Sequence, residues 1–186
     1  AGLDHSEEWE AIFAPLSGDV VDVSTPYVVD YDDRDFLSTQ PAGTVFVSVV
    51  DPGVGTERKS IVMKSKSGHY FVTPDNGTLT FVAERLGIAS VREIDEAVNR
   101  RRNSEKSFTF HGRDVYAYTG ARLAAGVIGF KEVGPELPAE VVRIPHERAR
   151  FEDGVVYGNI QTDDGNYGNI WTNVDRATFA KLGVPL

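Results

Sequence analysis

Apolar positions recur along the chain in two rhythms. Trp9, Ile12, Phe13 and Leu16 stand three or four residues apart, the spacing of one helix face, with Ser6 placed to cap and Glu7 and Glu8 in the first turn. This predicts a helix over Glu7–Leu16, its last turn loosened by Pro15. Asp19–Val23 reads as a short strand. Ser24–Ala42 is acidic, contains Pro26 and Pro41, and reads as a loop with at most a short helix over Asp33–Ser38. The rhythm then tightens. Thr44–Val50 is nearly all apolar or β-branched, as a strand covered on both faces should be. Ser60–Lys64 and Tyr70–Thr73 are further strands around a turn at Lys66-Ser67-Gly68, and Pro74-Asp75-Asn76-Gly77 is a strong turn signal. Leu79–Leu86 reads as a helix stopped by Gly87, Ser90–Ile94 as a strand, and Val115–Ala125 as a helix closed by Gly126.

The pattern changes after about Arg148. Val155–Thr162 and Asn169–Asn173 read as strands flanking the turn Asp163-Asp164-Gly165-Asn166, and Arg176–Leu182 as a short helix. No internal repeat or low-complexity tract interrupts the chain.

Composition narrows the class. With 186 residues and 41% hydrophobic content, the chain can bury a core of ordinary size. A formal charge of −9, from 28 acidic against 19 basic residues, argues against a nucleic-acid partner, whose binders carry basic patches. The absence of cysteine excludes disulfides, thiolate catalysis and cysteine-built zinc sites. No apolar run reaches the ~18–20 residues of a membrane helix, and no leader pattern opens the chain. The expectation is a cytoplasmic protein without a membrane partner.

The candidate chemistry sits where strands end. Asp51 closes the apolar strand and opens the turn Pro52-Gly53-Val54-Gly55, with Arg58 beyond it. Strand-to-loop junctions are where open α/β sheets place binding and catalytic groups, but an aspartate there also caps turns through its own backbone. The glycines let backbone approach a ligand, yet neither a phosphate-loop nor a dinucleotide fingerprint is present. Of four histidines, His111 is the best placed for proton chemistry, following Phe108-Thr109-Phe110 and preceding Gly112. No His, Asp and Glu cluster has metal-ligand spacing, so no metal site is expected. Asp75-Asn76-Gly77 reads more readily as a turn than as a site. Tyr167-Gly168-Asn169 lies at another strand edge, where an aromatic face beside a carboxamide can hold a purine or simply turn a hairpin.

Four runs in order carry a resemblance: Val50-Asp51-Pro52-Gly53-Val54-Gly55-x-x-Arg58, Pro74-Asp75-Asn76-Gly77, Thr109-Phe110-His111-Gly112-Arg113-Asp114, and Tyr167-Gly168-Asn169-Ile170-Trp171-Thr172-Asn173. Together they resemble the S-adenosyl-L-methionine (SAM) hydroxide adenosyltransferases, relatives of the SAM-dependent fluorinase and chlorinase. The resemblance implies hydrolysis of SAM to adenosine and L-methionine, with SAM as substrate and no separate cofactor. It maps a catalytic set onto Asp51, Arg58 and His111; the fluorinase pattern has tyrosine at the aspartate and histidine positions, so retention of all three favours water over halide. His111 is then the candidate base or proton relay, Arg58 the group that stabilises hydroxide character, and Asp51 the one that orients water or holds the ribose. The resemblance further implies substrate contacts from Asp51, Phe110, Gly112, Tyr167, Asn169 and Tyr27, and a homotrimer whose sites are shared between subunits.

Pattern and resemblance together predict an α/β fold. An N-terminal three-layer domain with a largely parallel central sheet is expected over residues 1–148, and the beginning of a β-rich C-terminal domain over residues 149–186. Three departures from the family pattern stand out. Its opening Thr-Asp-Phe-Gly-like motif, whose aspartate holds the ribose, falls ahead of Ala1; Ser24–Gly43 is several residues shorter; and Leu186 precedes most of the C-terminal β domain. A SAM-dependent halogenase and a non-catalytic SAM or adenosine binding module are the alternatives.

Overall fold

The computed structural model describes residues 20–22, 40–51, 53–106, 109–164 and 168–184. The predicted helix over Glu7–Leu16 and the loop with its short helix at Asp33–Ser38 lie outside these residues. The chain divides into two compact units, the first running to Ile144 and the second taking up at Pro145.

The first unit is a mixed α/β structure built on a six-stranded sheet. Its strands are β1 (Val20–Asp22), β2 (Val45–Val47), β3 (Ser60–Ser65), β4 (Tyr70–Pro74), β5 (Ile88–Glu93) and β6 (Glu136–Leu137), in the spatial order β1-β2-β4-β3-β5-β6. The expected largely parallel sheet is corrected. β1, β2 and β4 run parallel, whereas β4 with β3, β3 with β5 and β5 with β6 run antiparallel. The cause is local: the turn between Ser65 and Tyr70, closed by Gly68 N–H donating to Ser65 C=O at 3.1 Å, is far too short for a parallel crossover.

Strand alternation divides the buried side chains into two clusters. Phe46, Ile61, Met63, Phe71 and Val91 pack with Leu79, Val82 and Ala83, the last two from helix α1 (Thr80–Leu86). Val45, Val47, Val62 and Val72, offset by one residue, pack with Val115, Tyr116, Ile128 and Val133. Ile61, Val62, Met63, Val72 and Val91 have no exposure at all. Each such side chain contributes roughly 1.5–3 kcal/mol relative to an exposed one, so these central strands are the rigid part of the unit.

The predicted helix over Val115–Ala125 begins earlier and differently. Gly112–Ala117 is a π-helical segment that runs into α2 (Tyr118–Ala124). In a regular α-helix, residues five apart stand about 140° apart around the axis. A π turn closes between i and i+5 and so returns them to one face. His111 and Tyr116 are such a pair, with ring centroids 6.4 Å apart.

The second unit contains two small antiparallel sheets, β7 (Arg150–Glu152) with β8 (Val155–Tyr157) and β9 (Ile160–Asp164) with β10 (Asn169–Thr172), followed by α3 (Arg176–Ala180). The single strand expected over Val155–Thr162 is broken at Gly158-Asn159, so its halves join different sheets. Asn173 Nδ2 donates to Glu147 C=O at 2.7 Å, and Asn173 Oδ1 accepts from Asn159 N–H at 2.7 Å. Asp175 caps α3 by accepting from Thr178 N–H at 2.6 Å.

Candidate functional site

Two parallel neighbours, β2 and β4, end at the same edge of the sheet, and β3 begins there, since Ser60 pairs with Pro74. Beyond β2 the chain leaves the sheet and Asp51 starts a turn in which Val54 N–H donates to Asp51 C=O and Thr56 N–H to Gly53 C=O, at 3.2 and 3.0 Å. The turn folds back so that Arg58 meets Asp51. The Arg58 Nε donates to both carboxylate oxygens, at 3.1 and 2.9 Å, and Nη2 forms a further hydrogen bond to Oδ2. The two side chains are only 10% and 7% exposed, which makes this a buried, several-point ion pair.

The turn Pro74–Gly77 beyond β4 holds both ends of this loop. Asn76 Nδ2 donates to Val50 C=O at 3.0 Å, next to Asp51, and Asp75 N–H donates to Lys59 C=O at 2.8 Å, next to Arg58. Asp75 Oδ1 in turn accepts from Val142 N–H at 2.8 Å. Burial pushes the Asp75 carboxyl up, against that hydrogen bond and the Lys59 charge. Gly77 has φ of +99°, and a Cβ there would run into the Ile144 side chain, so the turn requires glycine twice over.

The π-helical segment brings in the third group. His111, 6% exposed, sets Nδ1 2.7 Å from Arg58 Nη2. A guanidinium has no acceptor, so Arg58 donates and Nδ1 accepts. The proton of the neutral imidazole therefore sits on Nε2, which is buried and has no partner among the described residues. Burial holds His111 below its ordinary value, and the Arg58 and Arg100 charges act in the same direction against Glu96 and Asp51. Burial is the largest single influence on Arg58 and works against its charge, but the hydrogen bond to Asp51 and the interactions with Tyr116, Asp51 and Glu96 together outweigh it and hold Arg58 above its ordinary value.

Two residues that sequence reasoning did not assign to a site complete the cluster. Arg58 Nη1 donates to Ser60 Oγ at 3.2 Å, Ser60 Oγ lies 3.2 Å from the Tyr116 hydroxyl, and that hydroxyl donates to Asp51 Oδ2 over a long 3.5 Å. Ser60 was legible only as the start of a strand and Tyr116 only as an apolar helix position. No sequence signal marks a π turn. Burial pushes the Tyr116 phenol well up, so it stays protonated at neutral pH.

Among the other expected site residues, Phe110 is 57% exposed and carries the Arg113 guanidinium 5.3 Å from its ring centroid. Arg113 Nε donates to the wholly buried Asp114 at 2.8 Å. Gly112 faces Val49, where a Cβ would come within 3.1 Å of that side chain. Asn169 opens β10 in the second unit and is exposed. Tyr27 and Tyr167 lie outside the described residues. Among the described residues no group of three His, Asp or Glu side chains gathers as for a metal, and no helix is long and apolar enough to cross a membrane.

The arrangement is therefore a strand-end carboxylate and guanidinium backed by a neutral, donor-presenting imidazole. A family profile described as the SAM hydroxide adenosyltransferase N-terminal domain matches residues 34–134, over half of the chain. The chain belongs to the SAM hydroxide adenosyltransferase family. It is 45% identical over 138 residues to an (R)-S-adenosyl-L-methionine hydrolase of Methanocaldococcus jannaschii, an alignment covering 73% of this chain and 45% of that protein. It is 30% identical over 195 residues to a fluorinase of Actinoplanes, covering 89% and 64%. Among solved structures, an uncharacterized conserved protein from Thermotoga maritima superposes with a TM-score of 0.76 at 37% identity, covering 95% of this chain and 67% of the other. The chain spans about half the length of the hydrolases of this family that it matches.

Proposed function

We propose that the protein hydrolyses SAM to adenosine and L-methionine. A water oxygen attacks the ribose C5′, the C5′–S bond breaks, its electron pair goes to sulfur, and methionine leaves as a neutral thioether while a proton leaves the water. The observation that carries this reading is the buried Nε2–H of His111, unpartnered among the described residues and belonging to a ring whose Nδ1 is held by Arg58, itself paired with Asp51. That set offers donors and a positive charge for an oxygen nucleophile, which needs orientation and stabilisation of hydroxide character. With Nδ1 engaged and Nε2 already protonated, His111 serves as a donor to the nucleophile's oxygen, and the proton passes to solvent or to Asp51.

The wider assignment rests on the family. Phe110, Gly112, Tyr167, Asn169, Tyr27 and Asp51 are assigned to substrate contact, with no cofactor beyond the substrate. The working unit is a homotrimer with sites shared between subunits, in the cytoplasm. The first unit is assigned as a three-layer SAM-binding domain ending near residue 148, and residues 149–186 as the start of the C-terminal β domain.

Incubation with SAM in ¹⁸O-water tests the proposal. Adenosine carrying ¹⁸O at the 5′ position, with an equal amount of methionine, is the expected result; SAM left intact by the assembled protein across the pH range overturns it. The fluorinase likeness supports one second reading, halide as nucleophile. The same incubation with chloride or fluoride decides it by the appearance of a 5′-halo-adenosine.

A further inference from the structure

The hydrogen bonds around Arg58 run in one direction, because a guanidinium can only donate. Arg58 Nη1 gives a hydrogen to Ser60 Oγ at 3.2 Å, and at the other end of the chain the ionised Asp51 carboxylate can only accept, so the one Tyr116 hydroxyl hydrogen goes to it. With its hydrogen so engaged, the Tyr116 hydroxyl, 3.2 Å from Ser60 Oγ, accepts the Ser60 hydrogen. The Tyr116 hydrogen then points at Asp51 Oδ2, 3.5 Å away, the same oxygen that Arg58 Nη2 engages. The circuit Arg58, Ser60, Tyr116, Asp51 closes on itself. The Tyr116 ring also lies under the Arg58 guanidinium, 5.8 Å from its carbon, and edge-on to His111, with centroids 6.4 Å apart. Tyr116 thus touches or faces every member of the set, and it has no solvent exposure. A buried tyrosine normally needs one hydrogen-bond partner for its hydroxyl. This one has two, and both lead to the ion pair.

We infer that Tyr116, relayed through Ser60, is a positioning residue that fixes the Asp51–Arg58 pair and, through Arg58, the Nε2–H tautomer of His111. The inference rests on the proposed hydrolysis for its kinetic consequence, but its structural consequence stands without it. The π turn is what delivers Tyr116, since in an α-helix it would stand about 140° from His111.

The test is a cycle of Tyr116→Phe, Ser60→Ala and the double variant, in the full chain. Phenylalanine keeps the ring and removes only the circuit's link. A hydrogen bond to a charged group corresponds to roughly a 10- to 100-fold effect, so Tyr116→Phe is expected to lower kcat by about that factor with KM little changed. Ser60→Ala is expected to do the same to a smaller degree. The double variant is expected to be no worse than Tyr116→Phe, because both break one circuit. Independently of turnover, ¹⁵N NMR of the imidazole is expected to show a single Nε2–H form of His111 in the parent and a mixture of tautomers in Tyr116→Phe. Unchanged kcat together with an unchanged His111 spectrum overturns the inference. A parent that makes no adenosine sinks the proposed function alone, since the NMR arm still decides the role of Tyr116.

Discussion

Two turns leave the sheet side by side, and they divide the labour. The one after β2 carries Asp51 and Arg58, charged and nearly buried. The one after β4, Pro74–Gly77, gives its Asn76 side chain and Asp75 backbone to the first turn's ends, at Val50 and Lys59. Both read from sequence as turns with an aspartate at the start. What separates them is where the polar groups are spent. Asp51 turns its carboxylate toward a cation, whereas Asp75 turns its own toward the Val142 backbone. The second turn is thus spent on holding backbone, the first on pairing charge.

The contrast breaks most visibly at Arg58. Arg58→Ala leaves the Asp51 carboxylate buried without its partner, and breaking such a pair costs about 3–5 kcal/mol. Turnover to adenosine is expected to fall by about 10²–10³-fold or more, with adenosine binding less affected, measured by steady-state kinetics and calorimetry. Arg58→Lys is expected to restore little of this, because an ammonium cannot serve Asp51, Ser60 and His111 at once.

The second turn breaks by shape. Gly77→Ala puts a Cβ at positive φ against Ile144, and a loss of about 1–3 kcal/mol in chemical denaturation is expected. Asn76→Ala is expected to cost about 1 kcal/mol and to lower kcat more than stability, since it frees the root of the Asp51 loop. If kcat is untouched, the second turn is no clamp for the first.

Acid sharpens the comparison further. His111 is held below its ordinary value, so it is neutral at neutral pH and the unfolded chain takes up the proton first. Its contribution to stability is full above the ordinary imidazole value near ~6.5 and is lost as pH falls through the lowered folded value. Turnover is expected to stay level above that range and to fall on its acid side, as a pH–rate profile would show. Asp75 has the opposite sign: its folded value is raised, so its charge is a slight burden at pH 7. Asp75→Asn, which keeps an acceptor for Val142, is expected to leave the melting temperature unchanged or slightly higher. That is the smallest effect of the set.

Much of this was legible in the sequence for reasons that can be named. β3 and β4 fall within a residue of the expected strands because a central strand shows its burial as an unbroken apolar run. Asp51, Arg58 and His111 come together as expected, because strand ends and glycines announce a site edge. The expected parallel directions conflict with the Lys66–Gly68 turn, which by its shortness makes β3 and β4 antiparallel. Ser60 and Tyr116 were invisible as site residues for a different reason. Tyr116 obeys helix periodicity as a core residue, and its hydroxyl counts only once a π turn has been laid on top. The two-residue strand β6 carries too little pattern to be seen at all.

The π-helical segment has a consequence for how the chain tolerates change in length. Substitutions within Gly112–Ala117 alter single contacts, but one residue inserted between His111 and Tyr116 would carry them to opposite sides of the helix, whereas one residue removed would leave them four apart, on one face of an ordinary α-helix. The segment is therefore less forgiving of an insertion than of a deletion. Homologues that keep this site are expected to carry no insertion between the two rings.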